Sequence, residues 1–88
     1  MSFVYSTYVL RSESRSQLYV GSTSDLAKRL KEHNDNQAPA TKNRGPWKLV
    51  YSEDLPDRSS AMRRERYFKT GKGREELKRL IGAFPQGR

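Results

Sequence analysis

The chain has 88 residues, 33% hydrophobic and 10% aromatic, enough for one thin core and not for two. It contains no cysteine and one histidine, which excludes disulfides, a thiolate nucleophile, cysteine-ligated zinc and any multi-histidine metal centre; a metal would rest on carboxylates and be a hard ion such as Mg²⁺ or Mn²⁺. Its 18 Lys and Arg against 10 Asp and Glu give a net charge of +8 and a pI near 10.1, a surplus that favours a polyanionic partner, above all nucleic acid.

Residues 3–10 (Phe-Val-Tyr-Ser-Thr-Tyr-Val-Leu) are β-branched and aromatic without Gly or Pro, which predicts a strand. Period 2 puts Val4, Ser6, Tyr8 and Leu10 on one face and Phe3, Tyr5, Thr7 and Val9 on the other, so both faces are apolar enough to be covered. After a polar run, residues 17–22 form a second strand and an antiparallel hairpin that brings Tyr8 and Tyr19 within reach.

Thr23 or Ser24 is placed to cap the following helix, with Asp25 in its first turn. Leu26, Ala27 and Leu30 form its buried arc, while Arg29 and His33 make an i, i+4 row along the edge, where a cleft would be lined. A loop over residues 34–46, rich in turn formers, carries Lys42 and Arg44. Residues 47–53 form the third strand, with Trp47, Leu49 and Tyr51 on one face, ended by Pro56 and Asp57.

Ser59 or Ser60 then opens a helix to about Lys69, stopped by Gly71 and Gly73; residues 74–81 form a last short helix with Leu77, Leu80 and Ile81 apolar. Residues 1–83 are expected to be a single domain and residues 84–88 a frayed tail. In the longer helix Glu65 falls within the apolar arc of Ala61, Met62 and Phe68, about 40° from Ala61. An acid there needs a cation, either Arg29 or a metal ion. No apolar run approaches the roughly 18 residues of a membrane span, and no basic-then-apolar signal pattern opens the chain, so a cytoplasmic location is expected.

These motifs together resemble the GIY-YIG nuclease family over roughly residues 3–81. The first signature is represented by Ser6-Thr7-Tyr8 and the second by Tyr19-Val20-Gly21; Arg29 and His33 match the Arg-x-x-x-His helix. The run Thr41-Lys42-Asn43-Arg44-Gly45-Pro46-Trp47-Lys48-Leu49-Val50-Tyr51 and Arg64-Glu65-Arg66 are similar to the small stand-alone branch of the family. The resemblance implies an α/β fold, a small three-stranded antiparallel sheet flanked by helices in the order β-β-α-β-α-α, and metal-dependent cleavage of DNA phosphodiester bonds in DNA repair or processing.

By the same resemblance Glu65 would bind one Mg²⁺ or Mn²⁺, Arg29 would steady the phosphate, and Tyr8, Tyr19 and His33 would surround the attacking water. Arginine offers a fork of donors to phosphate oxygens. Tyrosine, with an ordinary pKa of about 10, needs nearby cations to lower it before it can act as a base; Tyr8 is favoured for this, with Tyr19 and His33 relaying the proton. The alternative is a non-catalytic nucleic-acid-binding module, with Lys28, Lys31, Lys42, Arg44, Arg63, Lys69, Lys72 and Arg74 on phosphates of DNA or RNA. A third reading is a domain that binds an acidic protein; no partner protein can be inferred from the residues.

Overall fold

The computed structural model describes residues 4–15 and 17–82. They form strands β1 (Tyr5–Ser12) and β2 (Leu18–Thr23), helix α1 (Leu26–Asn34), a 3₁₀ turn (Pro39–Thr41), strand β3 (Trp47–Leu55) and helices α2 (Arg58–Phe68) and α3 (Gly71–Ile81). The expected element order and antiparallel sheet are therefore present, with β1 central in the order β2-β1-β3. Phe3, at the start of the expected first strand, and the expected tail over residues 84–88 lie outside the described residues. No described helix is long and apolar enough to cross a membrane.

The alternation along β1 divides the molecule into two cores. Tyr8 and Leu10 join Trp47 on the side covered by α1, against Tyr19, Leu26, Leu30 and Leu49. Val9 joins Val20, Phe68 and Leu77 on the side covered by α2 and α3, with Val50, Tyr51, Tyr67 and Ile81 packed around them. Thr7, also on that side, donates to the Ala61 carbonyl at 2.9 Å.

The third strand departs from strict alternation. Val9 pairs with Tyr51 but Leu10 with Leu49, a register shift that leaves Val50 unmatched. Such a bulge reverses the side-chain order beyond it. Tyr51 therefore packs on the α2 side, opposite Trp47 and Leu49, and not with them as alternation predicts.

Helix starts also differ from expectation because carboxylates take the caps. Asp25 is the N-cap of α1 and accepts from the Lys28 amide, while the Thr23 hydroxyl is occupied by the Asp25 amide at 3.0 Å. Asp57 caps α2, so Ser59 and Ser60 lie inside its first turn. Ala27 is exposed, which narrows the buried arc of α1 to Leu26 and Leu30.

Helix α3 begins at Gly71, capped by Thr70, where the sequence suggests a helix stop. Gly73 is required by contact and not by a turn: a Cβ there would lie 1.8 Å from the Tyr67 carbonyl oxygen. The glycine lets α3 approach the end of α2 and bury Leu77. Leu80, expected in the apolar face, is exposed.

Candidate active site

Strand β1 holds Tyr8 at the centre of the sheet, and its partner across β2 is Gly21. A Cβ at Gly21 would lie 2.6 Å from the Tyr8 hydroxyl oxygen and 3.0 Å from the Tyr19 ring. The missing side chain is thus the space through which the Tyr8 ring crosses the neighbouring strand. At the far side its hydroxyl meets His33, with Oη 2.8 Å from Nε2. Tyr19 packs on the same imidazole, ring centroids 4.9 Å apart.

His33 itself is fully buried, not at the helix edge where its spacing from Arg29 suggests it should sit. The loop after α1 folds back over it, and Thr41 of the 3₁₀ turn brings Oγ1 to 2.7 Å from Nδ1. Both imidazole nitrogens are therefore engaged. Trp47 secures this loop: its indole donates to the Thr41 carbonyl at 3.2 Å, and its own backbone is held at both N–H and C=O by the Asn34 amide.

Burial controls the protonation states. It pushes the Tyr8 phenol up to about 12, helped by the adjacent Tyr19, while the Arg29 guanidinium acts in the opposite direction and Glu65 adds a small further rise. Arg29 by itself does not depress this tyrosine below its ordinary value, because loss of solvent outweighs one arginine. Burial also lowers the His33 pKa, with Arg29 adding to the effect, so the imidazole is neutral at pH 7.

Arg29 lies half-buried near Tyr8, with its Nη1 donating to the Glu32 carboxylate at 2.8 Å, the contact that does most to raise its pKa. Glu65 lies across the sheet on α2. The Ser22 hydroxyl donates to its Oε1 at 2.9 Å and the Lys69 ammonium to its Oε2 at 2.9 Å. The cation expected beside this acid is thus Lys69, one helical turn on, and not Arg29. Ser22 pairs with Thr7 next to the Tyr8–Gly21 pair, which sets Glu65 near the edge where Tyr8 crosses.

Among the described residues no three His, Cys, Asp or Glu side chains gather into a metal cage. One half-buried carboxylate beside a hydroxyl suits a different kind of ion. Mg²⁺ and Mn²⁺ sites commonly keep several waters and take one or two carboxylates plus a substrate phosphate. Glu65 fits that donor set, and exposed Lys69 can release Oε2 without disturbing the core.

The eight cations expected to face phosphate are all exposed. Lys31 is paired to Asp35 at 2.6 Å and Lys69 to Glu65; Arg63 bonds the hydroxyls of Ser59 and Ser60 within its own helix. Two functional candidates carry no site role in the sequence reading: Thr41, which meets His33 only when the loop folds, and Gly21, which belongs to the second signature but whose partner Tyr8 depends on strand register. The only sequence signal for Thr41 is its place at the head of the Thr-Lys-Asn-Arg run.

A small antiparallel sheet with a buried Tyr-His pair on one side and one carboxylate on the helix flanking the other makes this a small α/β domain. The sequence model of the GIY-YIG catalytic domain matches residues 4–78, and the chain belongs to the GIY-YIG family. It is 44% identical over 63 residues to the UPF0213 protein CPE1444 of Clostridium perfringens, covering 70% of this chain and 67% of that protein. It is 43% identical over 63 residues to the UPF0213 protein YazA of Bacillus subtilis, covering 70% of this chain and 63% of that one. The chain thus spans roughly two thirds of the length of these relatives.

The solution NMR structure of the UPF0213 protein BH0048 from Bacillus halodurans superposes with a TM-score of 0.54 at 31% identity, over 88% of this chain and 84% of that one. The fold is therefore that of the small stand-alone members. A GIY-YIG domain is a nuclease domain, its substrate class is nucleic acid, and such nucleases generally use a divalent metal ion.

Proposed function

We propose that this protein is a metal-dependent endonuclease that hydrolyses DNA phosphodiester bonds in DNA repair or processing, recognising its substrate broadly or by structure. The observation that carries this reading is the buried Tyr8 hydroxyl bonded at 2.8 Å to an imidazole held neutral. With a phenol pKa near 12, free tyrosinate is scarce at neutral pH, so Tyr8 acts by relay. As water oxygen attacks phosphorus, Tyr8 Oη takes the water proton and passes its own to His33 Nε2. The P–O ester bond breaks with its electron pair going to the leaving oxygen, which takes a proton from solvent, and His33 returns its proton to solvent through Tyr8.

Tyr19 packs the imidazole in place, and Arg29 exchanges Glu32 for the phosphate, a charge-assisted fork that strengthens as negative charge builds. Glu65 would hold the divalent ion, which when bound supplies Lewis-acid polarisation of the phosphate and offsets the charge of Glu65 that opposes ionisation of Tyr8. The exposed Lys28, Lys31, Lys42, Arg44, Arg63, Lys72 and Arg74 would supply phosphate contacts without base readout.

The test is a nicking assay on linear, nicked and branched DNA with Mg²⁺ or Mn²⁺. Wild-type protein is expected to cleave, and Arg29→Ala and Glu65→Ala to lose at least about a hundredfold in rate. Binding without cleavage of any DNA form with either metal defeats the reading. The internal pairing of Arg29 with Glu32 and of Glu65 with Lys69 favours, as a second reading, a binding module without catalysis; there Glu65→Ala leaves DNA affinity unchanged or raises it.

A further inference from the structure

We propose that Thr41 is a positioning residue that fixes the tautomer of His33, keeping Nδ1 protonated and Nε2 free to accept the Tyr8 proton. The inference rests on the relay described above but is decided by hydrogen-bond direction alone. Three buried links run in series: Tyr8 Oη to His33 Nε2 at 2.8 Å, His33 Nδ1 to Thr41 Oγ1 at 2.7 Å, and Thr41 Oγ1 to the Ala38 carbonyl at 3.4 Å. His33, Thr41 and Ala38 are each no more than 1% exposed, so solvent cannot substitute for a missing partner at Nδ1 or at the Thr41 hydroxyl.

A chain of hydroxyls and imidazole can be polarised in either direction, and its ends choose. One end is a backbone carbonyl, which only accepts. The Thr41 hydroxyl, with a single proton, is placed to donate to Ala38 at 3.4 Å, which presents a lone pair to His33. That lone pair calls for a proton on Nδ1, and neutral imidazole has only one ring proton, so Nε2 is left bare. At the other end Arg29 is a donor only. A proton on Nε2 would leave the Tyr8 hydroxyl proton without an acceptor among the described residues. Both ends thus select the same direction.

Thr41 does this without touching Tyr8. Its backbone is placed by the Trp47 indole, which donates to its carbonyl, and by its own N–H, which donates to the Ala38 carbonyl at 3.2 Å. The hydroxyl can therefore be removed while the main chain keeps its anchors.

Because His33 is the protein's one histidine, long-range ¹H–¹⁵N correlation on the full chain reads its tautomer without assignment ambiguity. Wild type and Thr41→Ser are expected in the Nδ1–H form, and Thr41→Val in the Nε2–H form. In the cleavage assay Thr41→Val is expected to lose about 10- to 100-fold in kcat with KM for DNA unchanged, and Thr41→Ser to recover most of it. An Nε2–H tautomer in wild type, or a folded Thr41→Val that keeps the wild-type tautomer, overturns the proposal. Should Thr41→Val fail to fold, wild type and Thr41→Ser decide by the same spectrum. A wild-type protein that cuts no DNA sinks the nuclease reading and leaves the tautomer assignment to stand or fall on the spectrum.

Discussion

On the α2 and α3 side of the sheet, Val9, Val20, Phe68 and Leu77 enclose an apolar core. The half-buried charges at its border are paired: Arg64 bridges Glu53 and Glu76 and lies 4.4 Å above the Phe68 ring, while Tyr51 and Tyr67 donate to the same two carboxylates. On the α1 side, Tyr8, Leu10 and Trp47 close instead around an imidazole bonded at both nitrogens. The comparison teaches how a thin domain divides its work. One face takes its charged groups to the border and pairs them, so it supplies cohesion, whereas the other buries a movable proton and depends on that cohesion to keep it in place.

Truncation of the apolar face should separate the two roles most sharply. Phe68→Ala is expected to remove about 3–5 kcal/mol of unfolding free energy, a large part of what a small domain has. Tyr8→Phe should cost only about 1–2 kcal/mol through the imidazole nitrogen left unpaired, yet abolish cleavage. Chemical denaturation beside the nicking assay distinguishes them. Equal stability losses would show that the Tyr8 side is cohesive in the same sense.

Gly21→Ala probes the passage between the faces. The added Cβ meets the Tyr8 phenol at 2.6–2.8 Å, so the ring must shift away from His33. A loss of about 1–3 kcal/mol is expected, together with a change in the His33 ¹⁵N shifts; unchanged shifts would mean that the ring reaches the imidazole by another route.

A smaller effect follows from acid. The folded-state pKa of His33 lies below its ordinary 6.5, so the unfolded chain takes up the proton first. The stability contributed by keeping the imidazole neutral is complete above 6.5 and is lost as pH falls through 6.5 toward the lower folded value. Melting temperatures between about pH 7.5 and 5.5 should fall more steeply for wild type than for His33→Gln. Parallel curves would place the acid-sensitive group elsewhere. The smallest change is expected for Lys42→Ala, which should lower the slope of log affinity for DNA against log salt by about 1 without altering the melting temperature. A salt slope identical to wild type would remove Lys42 from the interface.

Much of this architecture is legible in the chain itself. Hydrophobic alternation, turn residues and the single long apolar arc per helix specify the element order, and the resemblance carried by Tyr8, Tyr19, Arg29, His33 and Glu65 identifies the family. Two misreadings have specific causes. The Val50 bulge reverses Tyr51 because one unmatched residue changes side-chain parity without leaving a trace in composition. Gly73 reads as a helix stop because sequence records only a missing side chain, not the Tyr67 carbonyl that the absence makes room for.

His33 shows the remaining boundary most clearly. Local periodicity places it one turn beyond Arg29, because both lie on the same helix and 3.6 residues per turn is a property of the backbone. Whether that row faces solvent or core depends on the loop through Thr41, which is folded over the imidazole by Asn34 and Trp47. The sequence alone thus determined the residue types and their local order, while only tertiary structure decided the burial that keeps His33 neutral and raises Tyr8. Desolvation and hydrogen-bond direction depend on what comes to lie across space, and no spacing along the chain encodes them.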